Sequence, residues 1–341
     1  MSVEIPDGLR LKYRRSVEGR AWLGRLPHLI ESTLWNWQLR VDLPAGADPW
    51  HGTSGMVIPV TTSGGEPAAL KIAFPHEEAL TEPLALRLWA GHGAVRLLRS
   101  DESSGALLLE RLDSGRTLQQ LPMEEATVIW GNVLQQLSIR PATAAEWQKI
   151  PRIAATAERY CDELPQRWSE LNEPFGRWLL EAALEVCQTR GVLTPQSSAS
   201  EVLVHTDLHF MNILARPNQD MDAVDTPAGQ SRHYVAIDPQ VQLGEAEFAL
   251  APCLWNRLHE LPRRGAEAAL RRRACALADA AGLDGELATQ WAIVREVENA
   301  LCYLERSGHG GDAQRSLWVA STLAGKTLPG LPGAHDLPML C

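Results

Sequence analysis

The chain has 341 residues, of which 45% are hydrophobic and 22% are charged. These proportions are ordinary for a globular protein and exclude a fibrous or disordered chain. Acidic residues outnumber basic ones by 42 to 32, and the resulting net charge of −10 argues against a nucleic-acid partner. The length is enough for about two domains or lobes.

Targeting signals and cysteine usage indicate the compartment. The first residues carry several basic side chains but no apolar stretch behind them, so we expect no signal peptide. No run of about 18 apolar residues occurs, so we expect no membrane span. The six cysteines are scattered without a C-x-x-C pair, which predicts buried, reduced thiols rather than disulfides or zinc ligands. Together these features predict a cytoplasmic protein.

Hydrophobic spacing predicts a strand-rich first part of the chain. An opening helix is expected over residues 17–37. Five short strands are expected at residues 38–43, 55–62, 67–74, 94–100 and 106–112. One helix, residues 76–90, follows the third of them. Sequential antiparallel strands with a helix on one side predict an α+β layer.

The remainder of the chain is predicted to be mainly helical. The predicted helices cover residues 116–138, 152–164, 173–190, 264–281 and 285–304. Two short apolar runs, 202–204 and 234–237, interrupt them. The polar segment 216–231 is rich in Pro, Asp and Gly, which predicts an exposed loop between these two runs.

Four polar residues stand out against this background. In the segment LVHTDLHFMNIL, residues 203–214, Asp207 precedes Asn212 by five positions. Asp238 ends the next apolar run, and Lys71 lies inside the third predicted strand. Phosphoryl transfer needs a carboxylate to accept a proton, oxygen ligands for magnesium and a lysine for the phosphates. Each residue alone has an ordinary structural explanation, but their order along the chain is that of the protein-kinase motifs.

Longer stretches extend this similarity. They include PAALKIAFPHEEAL, EPLALRLWAGHGAVRLLRSD, VLVHTDLHFMNILA and AIDPQVQLGEAEFALAPCLWNR, within roughly residues 20–305. In them the chain resembles bacterial antibiotic kinases of the aminoglycoside phosphotransferase family, in the branch of streptomycin 6-phosphotransferases and hydroxyurea phosphotransferases. The resemblance implies a protein-kinase-like bilobal fold, with a five-stranded antiparallel N-terminal lobe and a mainly helical C-terminal lobe. Residues 1–112 would form the nucleotide-binding lobe, and residues 113–341 the lobe with the catalytic loop and acceptor site.

The resemblance also implies roles for the four polar residues. Asp207 would be the catalytic base, and Asn212 and Asp238 would hold Mg²⁺. Lys71 would bind the α- and β-phosphates of ATP, and Glu82 would pair with Lys71. Because Pro83 suits only the first turn of a helix, a helix that starts earlier would leave Glu77 or Glu78 as the partner instead.

Further candidate residues surround the nucleotide. His205 would orient the catalytic loop through its ring nitrogens, and the backbone from Glu110 to Leu112 would read adenine. In the segment Gly52-Thr53-Ser54-Gly55, glycines allow close backbone approach, and Thr53 or Ser54 could donate to phosphate oxygens. An ordinary hairpin turn explains that segment equally well.

The acceptor is less well specified. A cationic acceptor would need carboxylates near Asp207, and the candidates are Glu245, Glu247, Glu296 and Glu298. Trp255 or Trp291 could stack on a sugar ring. We expect an ATP- and Mg²⁺-dependent phosphotransferase that acts on a hydroxyl of an aminoglycoside such as streptomycin, as a monomer or weak dimer. Hydroxyurea or another small metabolite is the alternative acceptor, and a catalytically silent nucleotide-binding module is a third interpretation.

Overall fold

The structure of the protein, a computed structural model, describes residues 3–44, 46–52, 54–192, 200–217 and 233–337. Its helices are α1 (Asp7–Tyr13), α2 (Val17–Asn36), α3 (Glu77–Trp89), α4 (Met123–Leu137), α5 (Ile153–Glu170), α6 (Arg177–Arg190), α7 (Ala251–Trp255), α8 (Ala266–Ala281), α9 (Gly285–Leu304) and α10 (Gly310–Leu323). Its strands are β1 (Arg40–Val41), β2 (Trp50–His51), β3 (Gly55–Thr61), β4 (Pro67–Ala73), β5 (Leu97–Asp101), β6 (Ala106–Glu110), β7 (Asp113–Thr117), β8 (Val202–His205), β9 (Ile213–Ala215), β10 (Tyr234–Ala236) and β11 (Val241–Gly244).

Strands β1 to β6 form one antiparallel sheet in the order β1–β3–β4–β6–β5, and β2 also pairs with β3. Val41 of β1 lies opposite Val60, and Trp50 of β2 lies opposite Val57. Both short strands therefore run along the same edge of β3, so the sheet has five strand positions. The break in the edge position was not predicted, because a two-residue strand is too short to show an alternating pattern.

Helices α1 and α2 cover one face of this sheet. Leu9, Trp22 and Leu26 pack with Ile58 and Leu70 in one buried cluster. Because side chains alternate along a strand, Lys71 of β4 points to the opposite face. Helix α2 was predicted, but α1 was not, since its seven residues bury only two side chains.

The second half of the protein contains two small sheets among helices. These sheets run β10–β9–β7 and β11–β8. The helix predicted over 116–138 begins only at Met123, because residues 113–117 pair with β9 instead and Pro122 stands at the N-cap. Helices α8 and α9 match the predicted ones within two residues. The α+β arrangement is therefore the one that the sequence predicts.

The cysteines only partly meet the expectation of buried thiols. The five described cysteines are free. Cys187 and Cys253 are buried, whereas Cys161 and Cys302 are half-buried and Cys275 is exposed. That part of the prediction was wrong, because apolar spacing does not fix which way a residue at the edge of a helical stripe faces. Among the described helices, none is long and apolar enough to cross a membrane.

Candidate active site

A cleft of about 650 Å³ lies between the inner face of the large sheet and the loops that follow β8 and β10. It is lined by Ser54, Lys71, Glu82, Glu110, Leu112, Asp207, Asn212 and Asp238. These are all but one of the catalytic, nucleotide-binding and metal-binding residues expected from the sequence; the acceptor candidates do not line the cleft. The exception, Thr53, lies outside the described residues, as does most of the predicted loop 216–231.

Lys71 connects the two halves of the cleft. Its Nζ lies 2.6 Å from Glu82 Oε1 and 2.7 Å from Glu82 Oε2, and it also donates to Asp238 Oδ1. Helix α3 begins at Glu77, so Pro83 lies inside the helix and Glu82 nevertheless faces Lys71. The side chains of the alternative partners, Glu77 and Glu78, lie outside the described part of the chain.

The charges of Lys71, Glu82 and Asp238 influence one another's protonation. Burial favours the neutral amine, but the carboxylates of Asp238 and Glu82 outweigh it and raise the pKa of Lys71. Burial raises the pKa of Glu82, against the opposing charge of Lys71. Burial also opposes ionisation of Asp238, yet the ammonium group lowers the pKa of that carboxyl. The cleft thus holds a protonated lysine beside an ionised aspartate, as phosphate and metal binding require.

The loop after β8 places Asp207 and Asn212 together. A short 3₁₀ turn, Phe210–Asn212, reverses the chain, and the ring Nδ1 of His209 accepts from Asn212 N at 3.2 Å. The side-chain Nδ2 of Asn212 donates to Asp207 O at 3.0 Å and to Asp207 Oδ2 at 3.3 Å. The five-residue spacing of the motif therefore closes a loop that Asn212 holds from within.

His205 supports this loop from behind. It is fully buried, its Nε2 lies 3.0 Å from Ile237 O, and its Nδ1 accepts from Asp207 N at 3.2 Å. Burial lowers the pKa of the ring to about 4, so the ring is neutral near pH 7. A neutral ring donates with one nitrogen and accepts with the other, which fixes Asp207 relative to the segment before Asp238.

Asp238 adopts a left-handed backbone conformation, with φ of 52°. Asp is among the residues that tolerate this region, and the turn directs its carboxylate toward Lys71. The loop around Gly52 passes over it, since a Cβ at Gly52 would lie 3.6 Å from Asp238 Oδ2. Asp238 thus lies beneath the glycine-containing loop.

The oxygen donors present fit a magnesium ion. Mg²⁺ prefers oxygen ligands and is usually held by one or two carboxylates together with substrate phosphates. Asp238 and Asn212 are donors of this kind. Among the residues that the structure describes, no group of three or more His, Cys, Asp or Glu side chains is placed to hold a metal ion by itself. The donor set therefore suits a metal shared with a nucleotide.

Glu110 ends strand β6, and the backbone from this residue to Leu112 is expected from the sequence to bind the adenine base. Arg216 donates to both oxygens of the Glu110 carboxylate, at 3.1 and 2.9 Å, and Arg96 N donates to it at 2.8 Å. Burial opposes ionisation of this carboxyl, but these partners outweigh it and lower the pKa of Glu110. The side chain of Glu110 is therefore engaged, and its backbone N–H also donates to Arg96 O at 2.9 Å.

The structure separates the acceptor candidates. Glu245 accepts from Arg190 and Trp291, Glu247 accepts from Asp284 N, and Glu298 pairs with Arg167. Glu296 is completely buried, and neither of its oxygens has a hydrogen-bond partner among the described residues. Trp291 is buried in the core, whereas Trp255 is half-buried.

Sequence reasoning missed three residues that hold the site. Arg295 donates to Thr206 O beside the catalytic loop, and Trp130 Nε1 donates to Leu208 O at 2.8 Å. Arg216 donates to both carboxylate oxygens of Glu110. The only signal in the sequence was the position of Arg295 directly after the apolar run 291–294. The contacts themselves join residues far apart in the chain.

The chain is similar in sequence to known antibiotic kinases. A family model described as aminoglycoside/hydroxyurea antibiotic resistance kinase matches residues 40–307. A streptomycin 6-kinase of Streptomyces glaucescens is 33% identical, over 89% of this chain and 92% of that protein. A hydroxyurea phosphotransferase of Kitasatospora aureofaciens is 34% identical, over 95% of this chain and 87% of that protein.

Solved structures show the same fold. An amicoumacin kinase in complex with AMP-PNP, Ca²⁺ and its antibiotic has a TM-score of 0.54 at 12% identity, over 91% of this chain and 96% of that chain. The predicted resemblance and the predicted protein-kinase-like fold are both confirmed. The chain belongs to the aminoglycoside/hydroxyurea antibiotic resistance kinase family.

Proposed function

We propose that this protein transfers the γ-phosphoryl group of ATP, with Mg²⁺, to a hydroxyl group of a streptomycin-type aminoglycoside. The observation that carries the proposal is the convergence of Lys71 from the sheet with Asp207, Asn212 and Asp238 from the helical half in one cleft. The two streptomycin 6-kinases, 33% and 32% identical to this chain, support the choice of acceptor. The net charge of −10 favours a cationic one.

In the proposed reaction, Asp207 accepts the proton of the attacking hydroxyl. The acceptor oxygen forms a bond to the γ-phosphorus while the bond from that phosphorus to the ADP oxygen breaks. Asp207 suits this role because the ring of His205 and the amide of Asn212 fix its position, while its side chain remains 35% exposed toward the cleft. A positioned general base contributes about 10²- to 10⁴-fold to the rate.

The nucleotide is proposed to lie across both lobes. Lys71 binds the α- and β-phosphates, with Glu82 holding its ammonium group in place. Bound Mg²⁺ neutralises charge on the phosphates, and Asn212 and Asp238 are the residues that would hold it. Ser54, and Thr53 beyond the described residues, would donate to phosphate oxygens, and the backbone from Glu110 to Leu112 would read the base.

The division into lobes at residue 112 belongs to the same proposal. It is supported by β7, which starts at Asp113 and pairs with β9 next to the catalytic loop rather than with the large sheet. Residues 1–112 would then bind the nucleotide, and residues 113–341 would supply the catalytic loop and bind the acceptor.

Hydroxyurea is the second candidate acceptor, since the chain is 34% identical to a hydroxyurea phosphotransferase. A coupled assay that detects ADP, run with streptomycin, an aminoglycoside without guanidino groups, and hydroxyurea, tests both acceptors. We expect phosphorylation of streptomycin, and its loss in Asp207→Asn while nucleotide binding persists. ATP binding without transfer to any of these acceptors would contradict the proposal and favour a silent nucleotide-binding module.

A further inference from the structure

A group of unsatisfied polar atoms lies in the helical half, outside the residues that line the nucleotide cleft. Within the described residues, the atoms of this group that are buried without a hydrogen-bond partner are Trp255 Nε1, Asn256 Oδ1, Glu296 Oε1 and Oε2, Arg315 Nε and Ser316 Oγ. We call these five residues the polar cluster. Buried polar atoms in native proteins are almost always bonded, so such a concentration points to a ligand.

Members of the polar cluster adjoin one another across α7, α9 and α10. The guanidinium carbon of Arg315 lies 5.1 Å from the centroid of the Trp255 ring, and Arg315 Nη1 lies 3.4 Å from Trp255 O. Arg315 precedes Ser316, whose hydroxyl lies beside the Glu296 carboxylate. Trp255 also stacks on Tyr303, with 6.0 Å between ring centroids.

The segment that carries Trp255 packs directly against the catalytic loop. Cys253 Sγ lies 3.3 Å from Leu208 O, and the guanidinium carbon of Arg257 lies 5.5 Å from the centroid of the Phe210 ring. Leu208 directly follows Asp207. The segment that carries Trp255 and Asn256 therefore packs against the loop that carries the proposed base.

Glu296 is the carboxylate that remains available. The other acidic candidates already pair with Arg190, Asp284 N or Arg167. Among the described residues Glu296 forms no ion pair, and its buried oxygens have only the side chains of Ser316 and Asn299 beside them. Two carboxylate oxygens match a planar group with two parallel N–H donors, which is why arginine and carboxylates pair so often. Guanidino groups of streptomycin and the ureido group of hydroxyurea share this planar N–C–N arrangement.

We infer that Glu296 recognises the planar N–C–N group of the acceptor, whether guanidino or ureido, and that Arg315 Nε and Trp255 Nε1 donate to an adjacent oxygen of the acceptor. This inference rests on the proposed function and names the chemical feature that its acceptors share. Trp255 and Tyr303 are half-buried. In the proposed complex, this aromatic pair would move aside to admit the acceptor to the buried carboxylate.

The protonation of Glu296 is consistent with a ligand-dependent role. Burial raises the pKa of this carboxyl to about 7, although Ser316, Arg295 and Asn299 act in the opposite direction. Ionisation of Glu296 is therefore finely balanced near neutral pH without a ligand. A cationic or strongly donating group placed against it would favour the ionised form.

The test compares Glu296→Gln with Glu298→Gln, which changes a carboxylate two positions away that pairs with Arg167. Glutamine has the shape of glutamate but presents only one acceptor oxygen. For Glu296→Gln we expect kcat/KM for streptomycin, or for hydroxyurea, to fall about tenfold or more. The KM for ATP should not rise, and the melting temperature should not fall. For Glu298→Gln we expect less than about a threefold change in kcat/KM for the acceptor.

Acceptor binding measured by calorimetry keeps the test independent of turnover. If the wild type binds streptomycin or hydroxyurea but transfers no phosphate, the proposed function fails, and weaker binding to Glu296→Gln still supports the subsite. Equal acceptor affinity of Glu296→Gln and the wild type, or equal loss of ATP and acceptor affinity, overturns the inference. Wild-type binding of neither acceptor overturns it as well. Comparison of the affinities for streptomycin and hydroxyurea then shows whether the subsite accepts a guanidino or a ureido group.

Discussion

Lys71 Nζ lies 2.6 Å from Glu82 Oε1, in a buried ion pair that joins strand β4 to helix α3. The same ammonium group also donates to Asp238, 167 residues further along the chain. One cation therefore links the sheet, the helix and the loop after β10. Such an arrangement holds the ammonium group in place for the nucleotide phosphates that it is proposed to bind.

Replacement of Glu82 tests this link. In Glu82→Gln the ammonium group would remain bound to Asp238, the residue proposed to hold Mg²⁺, and would no longer be drawn toward α3. We expect kcat/KM for ATP to fall about 10- to 100-fold, since a hydrogen bond to a charged group contributes about 1.5–3 kcal/mol. Steady-state kinetics at varied ATP measure this. The exposed Glu181→Gln is the control, and similar ATP kinetics in both variants would refute the role of Glu82.

Replacement of Asp207 should affect kcat rather than the binding of ATP. Asp207→Asn keeps the shape of the side chain but cannot accept a proton, so we expect kcat to fall about 10²- to 10⁴-fold with little change in ATP affinity. Single-turnover transfer and nucleotide binding by calorimetry separate the two quantities. An Asp207→Asn protein that retains more than about a tenth of the wild-type kcat would rule out general-base catalysis by this residue.

Arg216 is predicted to stabilise the junction between the lobes. It donates to both oxygens of Glu110 and to Gly91 O at the end of α3. Arg216→Ala leaves a half-buried carboxylate without its main partner, so we expect the free energy of unfolding to fall by about 2–3 kcal/mol. Arg216→Lys should recover part of this loss, because it keeps the charge but not the paired donors. Chemical denaturation provides the measurement, and unchanged stability of Arg216→Ala would contradict the clamp.

The raised pKa of Glu296 should make the stability of the protein depend on pH. Its folded pKa of about 7 lies above the ordinary value of about 4.3, so the folded state binds more protons between these values. The wild type therefore loses up to about 3 kcal/mol of stability as pH rises from about 4.3 to 7, and the loss persists above that range. In Glu296→Gln this contribution should vanish.

Chemical denaturation of the wild type and of Glu296→Gln from pH 5 to 8 checks this prediction. The difference between their free energies of unfolding isolates the contribution of Glu296. The charged and titratable groups around it are Arg295 and Glu298 on its own helix, Tyr303 on the following turns, and Arg315 on α10. The raised pKa of Tyr303, about 12, keeps that residue out of the tested range. Parallel stability curves for the two proteins would show that Glu296 does not titrate there.

Position 55, at the start of β3, has no room for a side chain. A Cβ there would lie 2.7 Å from Ala73 Cα and from Ile72 O, which are backbone atoms of the paired strand. Gly55→Ala should therefore separate the two strands next to the glycine-containing loop and destabilise the protein by about 3 kcal/mol or more. Gly64→Ala is the control, since a Cβ there meets nothing closer than 3.7 Å. Melting temperatures that fall equally in both variants would contradict this.

The amino-acid sequence by itself determined most of the helices and strands and the candidates for the reacting groups. Alternation placed Lys71 within a strand, and the five-residue spacing from Asp207 to Asn212 specified a loop that closes on itself. These features are local, because the alternation of a strand and the turn of a helix are set by neighbouring residues. The short helix α1 and strand β2 escaped prediction, since their few residues carry too little periodic signal.

Only the tertiary structure decided which side chains meet. Three acidic candidates for the acceptor proved to be paired, and Glu296 did not, because their partners Arg190, Asp284 and Arg167 come from other helices or loops. The clamp of Arg216 on Glu110 spans 106 residues of sequence. Packing of distant elements sets such contacts, and local hydrophobic patterns carry no information about them.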